Sequence, residues 1–320
     1  MLERGGGRSA RASVLVTMSD RDDLEALAAR LEASGDYKVL RRLRRTPRIE
    51  RAALPEGARE AVVLDLETTG LEPTFDVPIE VGLVRFAYDP QGRILGVTDE
   101  LSALEDPGRP LAPEVARLTG ITDADLAGQR FPDARVAELL DGAVLVIAHN
   151  AAFDRPFAER RWPALAAFPW ACSLRDVPWR DGEGFDSGGL SALLLAHGTF
   201  FDGHRAVEDG YAVLDLLGRA LPSDGELALN RMRRSAGTAT VRVWAVKSPF
   251  EAKDLLKARG YRWNGAAKVW WTDVPEEALE AERAFLAANA YPRGLPALPT
   301  LRVDARVRYS ARVPESPPSA

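Results

Sequence analysis

The sequence predicts an α/β protein: a mixed sheet flanked by helices, with a small N-terminal extension and a small α+β C-terminal module. Three observations point there. Strand-like runs at 61–67, 79–88 and 93–101 follow one another, with Gly70, Pro73, Pro90 and Gly92 in the turns between them. Beyond residue 110, apolar strand-like runs alternate with helical periodicity, as in a sheet with crossover helices. Near residue 235 the composition shifts: four of the five Lys and four of the seven Trp fall between 244 and 271. The 320 residues suffice for two or three domains. We divide them into an extension with a basic linker (1–59), a central domain (60–222), a basic, Trp-rich module (235–290) and a Pro-rich tail with a candidate strand (291–320).

Residues 1–12 are Gly/Arg/Ser-rich and predict no packed structure. Ser19 and Asp22 have capping-box spacing, Leu24, Leu27, Ala28 and Leu31 follow at helical intervals, and Gly35 is the expected stop. A short strand is expected at 37–40, then a basic linker of Arg41, Arg42, Arg44, Arg45, Arg48 and Arg51. In the central domain, helices are expected at 113–118, 123–127, 134–140, 153–162, 190–197 and 205–221, and strands at 144–149 and 170–174. The module reads as a strand at 241–246, a helix at 249–258, a strand at 269–272 and a helix at 275–287. Alternation from Leu301 to Tyr309 predicts a late strand, and 313–320 reads as a tail.

With 46% hydrophobic and 28% charged residues, the chain is neither collagen-like, nor disulfide-stapled, nor wholly disordered. The single Cys172 forms no internal disulfide, the longest apolar run (143–148) is far below the ~20 residues of a membrane helix, and Arg4, Arg8 and Arg11 precede no apolar signal segment. A cytoplasmic protein without membrane contact is the expectation. The net charge of −5 hides a split: +4 over 1–51, −14 over 52–222 and +5 over 223–320. An acidic middle that binds a polyanion needs a divalent cation; on charge alone a solvated acidic surface is the favoured reading.

Three clusters carry the chemistry. Asp65 and Glu67 lie two apart on a strand, so both carboxylates share one face while Leu64 and Leu66 take the other, and Gly70 permits a tight turn beyond. A divalent cation would relieve their repulsion; two exposed strand-end charges are the alternative. Asp154 follows the apolar strand at a strand-to-helix junction, where it is also an ordinary helix N-terminal acid. His204 precedes a helix carrying Asp209, and a group titrating near neutrality suits a general base as well as a surface position. Hard oxygen donors from Asp65, Glu67, Asp154 and Asp209 favour two Mg²⁺ or Mn²⁺ ions over Zn²⁺, the arrangement that serves phosphodiester displacement. Asp202, Glu208 and Asp215 are expected to be solvated, and Glu80 a structural acid near the site.

Asp65-Leu66-Glu67-Thr68-Thr69-Gly70-Leu71, His149-Asn150 through Phe153-Asp154, and His204-Arg205-Ala206 with Asp209 resemble, in order and spacing, the motifs of the DEDDh exonuclease family, which includes the proofreading epsilon subunit of bacterial DNA polymerase III, ribonuclease T and oligoribonuclease. Leu118-Thr119-Gly120-Ile121-Thr122 resembles a further stretch of epsilon-like members. The resemblance covers about residues 60–221. It implies a ribonuclease H-like fold and metal-dependent release of nucleoside 5′-monophosphates from 3′ ends, with His204 as general base and the four carboxylates as metal ligands. It also implies nucleotide contacts from Thr68, Thr69, Leu71, His149, Asn150 and Phe153, with Leu71 wedged against the last base. DNA is the expected substrate, in repair or replication proofreading. RNA, or a non-catalytic accessory role on nucleic acid, is the alternative, and no polymerase- or clamp-binding peptide is evident. The extension resembles one seen in some epsilon-like proteins. The run 256–271 looks like a small domain appended to DNA-processing proteins, with Arg259, Arg262, Trp263 and Lys268 as candidate nucleic-acid contacts; a Trp-based mini-core explains the same residues.

Overall fold

The computed structural model describes residues 18–318, with side chains from Asp22 onward. The lead at 1–12 and the Ser19 side chain of the expected capping box lie outside them. The elements are α1 (Met18–Ala33), β1 (Arg41–Arg42), β2 (Arg59–Thr68), β3 (Pro78–Tyr88), β4 (Ile94–Leu104), α2 (Pro113–Thr119), α3 (Asp123–Leu126), α4 (Asp133–Leu140), β5 (Val146–Ala148), α5 (Ala151–Arg161), β6 (Trp170–Cys172), α6 (Leu190–Ala196), β7 (Thr199–Phe200), α7 (Ala206–Leu217), α8 (Ala228–Gly237), β8 (Thr240–Ala245), α9 (Lys253–Ala258), β9 (Arg262–Asn264), β10 (Val269–Pro275), α10 (Leu279–Asn289) and β11 (Thr300–Val303). Among the described residues no helix is long and apolar enough to cross a membrane.

The central sheet has the order β4-β3-β2-β5-β6. β2, β3 and β4 are antiparallel neighbours, and β5 and β6 run parallel to β2. Alternation along β2 sorts its side chains. Val62, Leu64 and Leu66 join the core containing Phe157 of α5 and Leu139 of α4. Ala61 and Val63 join the core containing Tyr211, Val213 and Leu214 of α7. Asp65 and Glu67 continue the row of Ala61 and Val63, on the side that α7 covers.

That helix comes unusually close. A Cβ on Gly82 of β3 would lie 2.2 Å from the Ala206 backbone carbon, and one on Gly210 would lie 2.9 Å from Val84. Gly82 is also the direct cross-strand partner of Asp65. The missing side chain therefore admits the start of α7 over the strand position that carries the first carboxylate.

The C-terminal module has an antiparallel sheet of order β11-β8-β10-β9. Val241, Val243 and Ala245 pack with Leu256 of α9 and Leu286 of α10, while Trp244, Val269 and Trp271 form a cluster on the opposite face.

Several expectations need correction. The strand predicted at 37–40 is displaced to β1, paired in parallel with β7. The arginines at 41–51 do not form a free linker. Arg42 pairs with Asp202 at 2.8 Å, Arg51 with Glu60 at 3.1 Å, and Arg45 with Glu208. With Asp215 paired to Arg219 at 2.6 Å, none of the three acids expected to be solvated is unpaired. Helix α8 was not anticipated; it carries Arg231, Arg233 and Arg234. The late strand stops at Val303 and the chain returns to the central domain. The Trp170 amide donates to the Ala305 carbonyl at 2.8 Å. Arg155, fully buried, donates to the carbonyls of Ala305, Arg306 and Arg308 and to the Glu159 carboxylate, so its guanidinium is satisfied by partners ~150 residues away in sequence as well as by its own helix. The expected tail is tied down too: Arg242 and the Trp244 indole donate to the carbonyls of Pro314 and Glu315, at 3.0 and 2.9 Å.

The close approach at Gly82 predicts that Gly82→Ala destabilises the protein by about 3 kcal/mol or more, because a backbone group cannot yield as a side chain can. Urea denaturation checks this. A loss below about 1 kcal/mol would show that α7 can slide without cost.

Candidate functional site

β2 delivers Asp65 and Glu67 from its last residues. Asp209 enters from the first turn of α7, above the same face. One carboxylate oxygen from each of the three lies within 4.8 Å of the others. Asp154 arrives from the first turn of α5, and its Oδ1 accepts the Leu66 amide at 3.2 Å. That amide lies beyond the last residue of β2 that pairs with β5, so it has no strand partner on that side. Asp154 caps it and keeps its second oxygen available.

Among the described residues none of these four carboxylates forms an ion pair, and the pulls of His204 on Asp209 and of Arg205 on Glu67 offset only part of the repulsion. Burial and then the neighbouring Asp154, Asp209 and Glu67 hold Asp65 well above the usual carboxylate range. Burial raises Asp154 too, against the pull of the Leu66 amide. Glu67 is pushed up to about 7, by burial and then by Asp209 and Glu80. Asp209 rises to about 6 through burial, partly offset by the Arg205 amide and by His204. A cluster of hard oxygen donors whose charge is uncompensated fits a divalent cation. Asp65, Glu67 and Asp209 could share one, with Asp154 at its edge.

Glu80 does more than neighbour the site. It faces Glu67 directly across β2 and β3, a like-charged cross-strand pair. It is completely buried and accepts from Arg205 Nε at 3.1 Å and from the Ala206 amide at 3.3 Å. The Arg205 amide in turn donates to Asp209 Oδ2 at 3.1 Å. Glu80 thus anchors the turn that carries His204, which is exposed and held at a φ of 66°. The signal in the sequence was the single acid of a strand whose other residues, Arg85 apart, are apolar.

The expected nucleotide contacts separate into two groups. Leu71 stands 78% exposed on the loop after β2, and so does Phe75, an aromatic residue the sequence reading passed over. Asp76 stiffens this loop, accepting from Thr69 Oγ1 at 2.9 Å and from the Glu72 amide at 3.0 Å. Phe153 is half-buried against Phe157, with ring centroids 5.0 Å apart. The others are engaged within the protein. The Thr68 hydroxyl donates to the Gly70 carbonyl at 2.5 Å, and the Thr69 amide to the Val77 carbonyl at 2.9 Å. The Thr69 hydroxyl also accepts from the Val77 amide and Arg109, at 3.1 and 3.0 Å. Asn150 is the left-handed residue at the start of α5, and its carbonyl accepts the Phe153 amide. His149 is buried, and burial lowers its pKa to about 4. As a neutral ring it donates from Nε2 to the Gly188 carbonyl at 3.1 Å, leaving Nδ1 to accept from Ser173 at 2.9 Å. The Thr68 and Thr69 hydroxyls and both His149 ring nitrogens thus have partners within the protein, while Asn150 is engaged through its backbone.

In the module, Arg259 pairs with Glu282 at 3.0 Å and covers the Phe285 ring. Arg262, Trp263 and Lys268 are exposed, with Trp263 against Trp270.

A family model described as exonuclease matches residues 62–217. The chain is 38% identical over 108 residues to the PolC-type DNA polymerase III of Thermotoga maritima, covering 33% of this chain and 7% of that protein. It is 33% identical over 172 residues to a Mycobacterium tuberculosis protein described as a bifunctional exonuclease/endonuclease, covering 49% of this chain and 25% of that one. The matches thus span a small part of these relatives' length. The Escherichia coli exonuclease I structure in complex with a dA16 oligonucleotide aligns over 68% of this chain and 63% of that chain, at 17% identity and a TM-score of 0.45.

The raised carboxyl pKa values predict how stability follows pH. These groups keep their protons in the folded state at pH values where the unfolded chain has lost them, so the metal-free protein loses stability as pH rises from about 4 through about 7. Millimolar Mg²⁺ or Mn²⁺ should offset most of that loss. Asp65→Asn should raise the metal-free Tm at pH 8 by about 2–6 °C, by removing one repelling charge, and should weaken the metal-induced shift. Thermal melts at pH 5 and pH 8, with Mg²⁺ or EDTA, measure both. A metal-free Tm that Asp65→Asn leaves unchanged or lowers would contradict this account of the cluster.

Proposed function

We propose, on the premise that the exonuclease family model matching residues 62–217 and the DEDDh motifs they carry place the central domain in that family, that the protein is a divalent-metal-dependent 3′–5′ exonuclease acting on DNA. The convergence of Asp65, Glu67 and Asp209 within 4.8 Å, with Asp154 at the edge, carries this reading. DNA is favoured because the relatives include DNA polymerases III of the PolC type.

The chain's own residues divide the work. Asp65, Glu67, Asp154 and Asp209 would hold two Mg²⁺ or Mn²⁺ ions. When bound, these ions would supply a lowered water pKa and stabilisation of the charge leaving with the 3′ oxygen. His204 accepts the proton of the attacking water; its exposure lets the ring pass that proton to solvent. Glu80, through Arg205, positions His204 and Asp209 together. Leu71 and Phe75 offer apolar surface to the face of the terminal base, which does not distinguish one base from another. Cleavage independent of sequence follows.

Full-length wild type should shorten 5′-labelled single-stranded or 3′-recessed DNA stepwise from the 3′ end with Mg²⁺ or Mn²⁺ and not with EDTA. Asp65→Ala should lower kcat by about 10³-fold or more, and His204→Ala by about 10²–10⁴-fold. Matched RNA in the same assay ranks the two substrates. No shortening under either metal, or full activity in Asp65→Ala, would sink the catalytic reading; faster cleavage of RNA would overturn the DNA assignment.

A further inference from the structure

A cleft of about 860 Å³ lies between the central domain and the C-terminal module, and none of the four carboxylates lines it. Six arginines line it: Arg175, Arg231, Arg234, Arg242, Arg262 and Arg308. Asp176, Asp273 and Glu315 are the acids in its wall. Two of these acids are already engaged. Asp273 receives both arms of Arg242 at 2.8 Å, and Asp176 accepts from the Cys172 amide at 2.7 Å and Tyr309 at 2.9 Å. Arg175 and Arg262 are exposed and form no ion pair with any described residue. Arg234 is 62% exposed beyond its single acidic partner, Glu226. Arg231 is paired with Glu183, Asp224 and Glu226, and Arg308 lies 3.6 Å from Asp176, so the groups left without an acidic partner are Arg175 on the central-domain side and Arg262 on the module side.

The module contributes an aromatic floor. Arg262 and Trp271 are direct cross-strand partners of β9 and β10, and so are Arg242 and Asp273 of β8 and β10. The Trp271 indole lies under both guanidinium groups, 3.8 Å from Arg242 and 5.2 Å from Arg262. This sheet face is the one turned away from α9 and α10. Arg175 stands on the opposite wall, on the loop leaving β6. Glu67 leaves β2, and Asn150 to Asp154 leave β5, at this same edge of the sheet, because the three strands are parallel. β6 lies two strand spacings from β2, about 10 Å.

We infer that this cleft is a second binding site, which takes the sugar-phosphate backbone of a single strand whose 3′ end lies at the carboxylate cluster. The inference rests on the exonuclease reading for the identity of the strand. Its physical support is independent of it: cationic donors spread along a cleft between two domains, rather than converging on one point, match a chain of phosphates better than a single small anion. The cleft lies outside the carboxylate cluster and uses none of its residues except the α5 backbone region around Ala152 and Pro156.

The test reads binding rather than hydrolysis, so it stands even if the nuclease assay fails. Full-length protein carrying Asp65→Asn is titrated in Mg²⁺ with fluorescent dT20 and dT3, with and without Arg175→Ala plus Arg262→Ala. The double variant should lose about tenfold or more in dT20 affinity. The slope of log Kd against log salt should flatten by about 1.4, the loss of two single-strand phosphate contacts. Affinity for dT3 should change less than twofold. Arg293→Ala, exposed on the module outside the cleft, serves as the charge control and should change neither value. The single variant Arg175→Glu should weaken dT20 binding without lowering Tm. Unchanged dT20 affinity and slope would overturn the inference, and so would equal losses for dT3 and dT20. Displacement of dT20 by millimolar thymidine 5′-monophosphate only when both arginines are present would reassign the cleft to a small phosphate ligand.

Discussion

The contact between α7 and β3 at Gly82 governs the geometry around it. Only a residue without a Cβ lets the Ala206 backbone lie directly over the strand, and only that approach brings Asp209 beside Asp65. The same contact seats the Ala206 amide on the Glu80 carboxylate. Packing on both faces of β2 then holds together carboxylates that repel one another. Aliphatic cores above and below the sheet supply the favourable energy, and the cluster draws on it. Functional sites commonly store such local conflict.

The way arginines are distributed sharpens this contrast. The central domain is strongly acidic, yet its outward acids are mostly claimed. Glu60, Asp99, Glu100, Asp202 and Glu208 each meet an arginine from the segment 41–51. Glu80 takes Arg205. Among the described residues, Asp65, Glu67, Asp154 and Asp209 form no ion pair. The positive N-terminal segment therefore pairs with five acids on the surface of the acidic domain and with none of the interior cluster. The surface-charge reading applies to the acids that arginines claim, and the buried cluster is the part of the acidic middle that fits a divalent cation.

Much of this was legible beforehand because it depends on local rules. A strand's two-residue period puts Asp65 and Glu67 on one face whatever the rest of the chain does, and an apolar strand followed by a helix fixes Asp154 near its end. The three antiparallel strands and the helices after them follow from the same periodicities. Other features depend on partners distant in sequence. Nothing near Gly82 announces Ala206, and nothing near Glu80 announces Arg205. Thr69 and His149 carry polar groups suited to a ligand, yet Val77, Gly188 and Ser173 engage them first. Helix α8 was obscured by its arginines, which read as part of a basic module while Leu229 and Met232 entered the core. The return of 304–310 was hidden because its anchors are backbone carbonyls, which no side-chain pattern reveals.

Arg155 follows Asp154 in the chain, and its guanidinium is closed by carbonyls of Ala305, Arg306 and Arg308. On a ribosome those residues emerge about 150 positions later, at ~5–20 residues per second. Over the roughly 8–30 seconds this takes, Arg155 lacks most of the acceptors it has in the complete chain. The central domain's helix α5 is therefore closed by residues outside that domain, and the neighbour of its second acidic motif depends on the C-terminal segment for most of its acceptors.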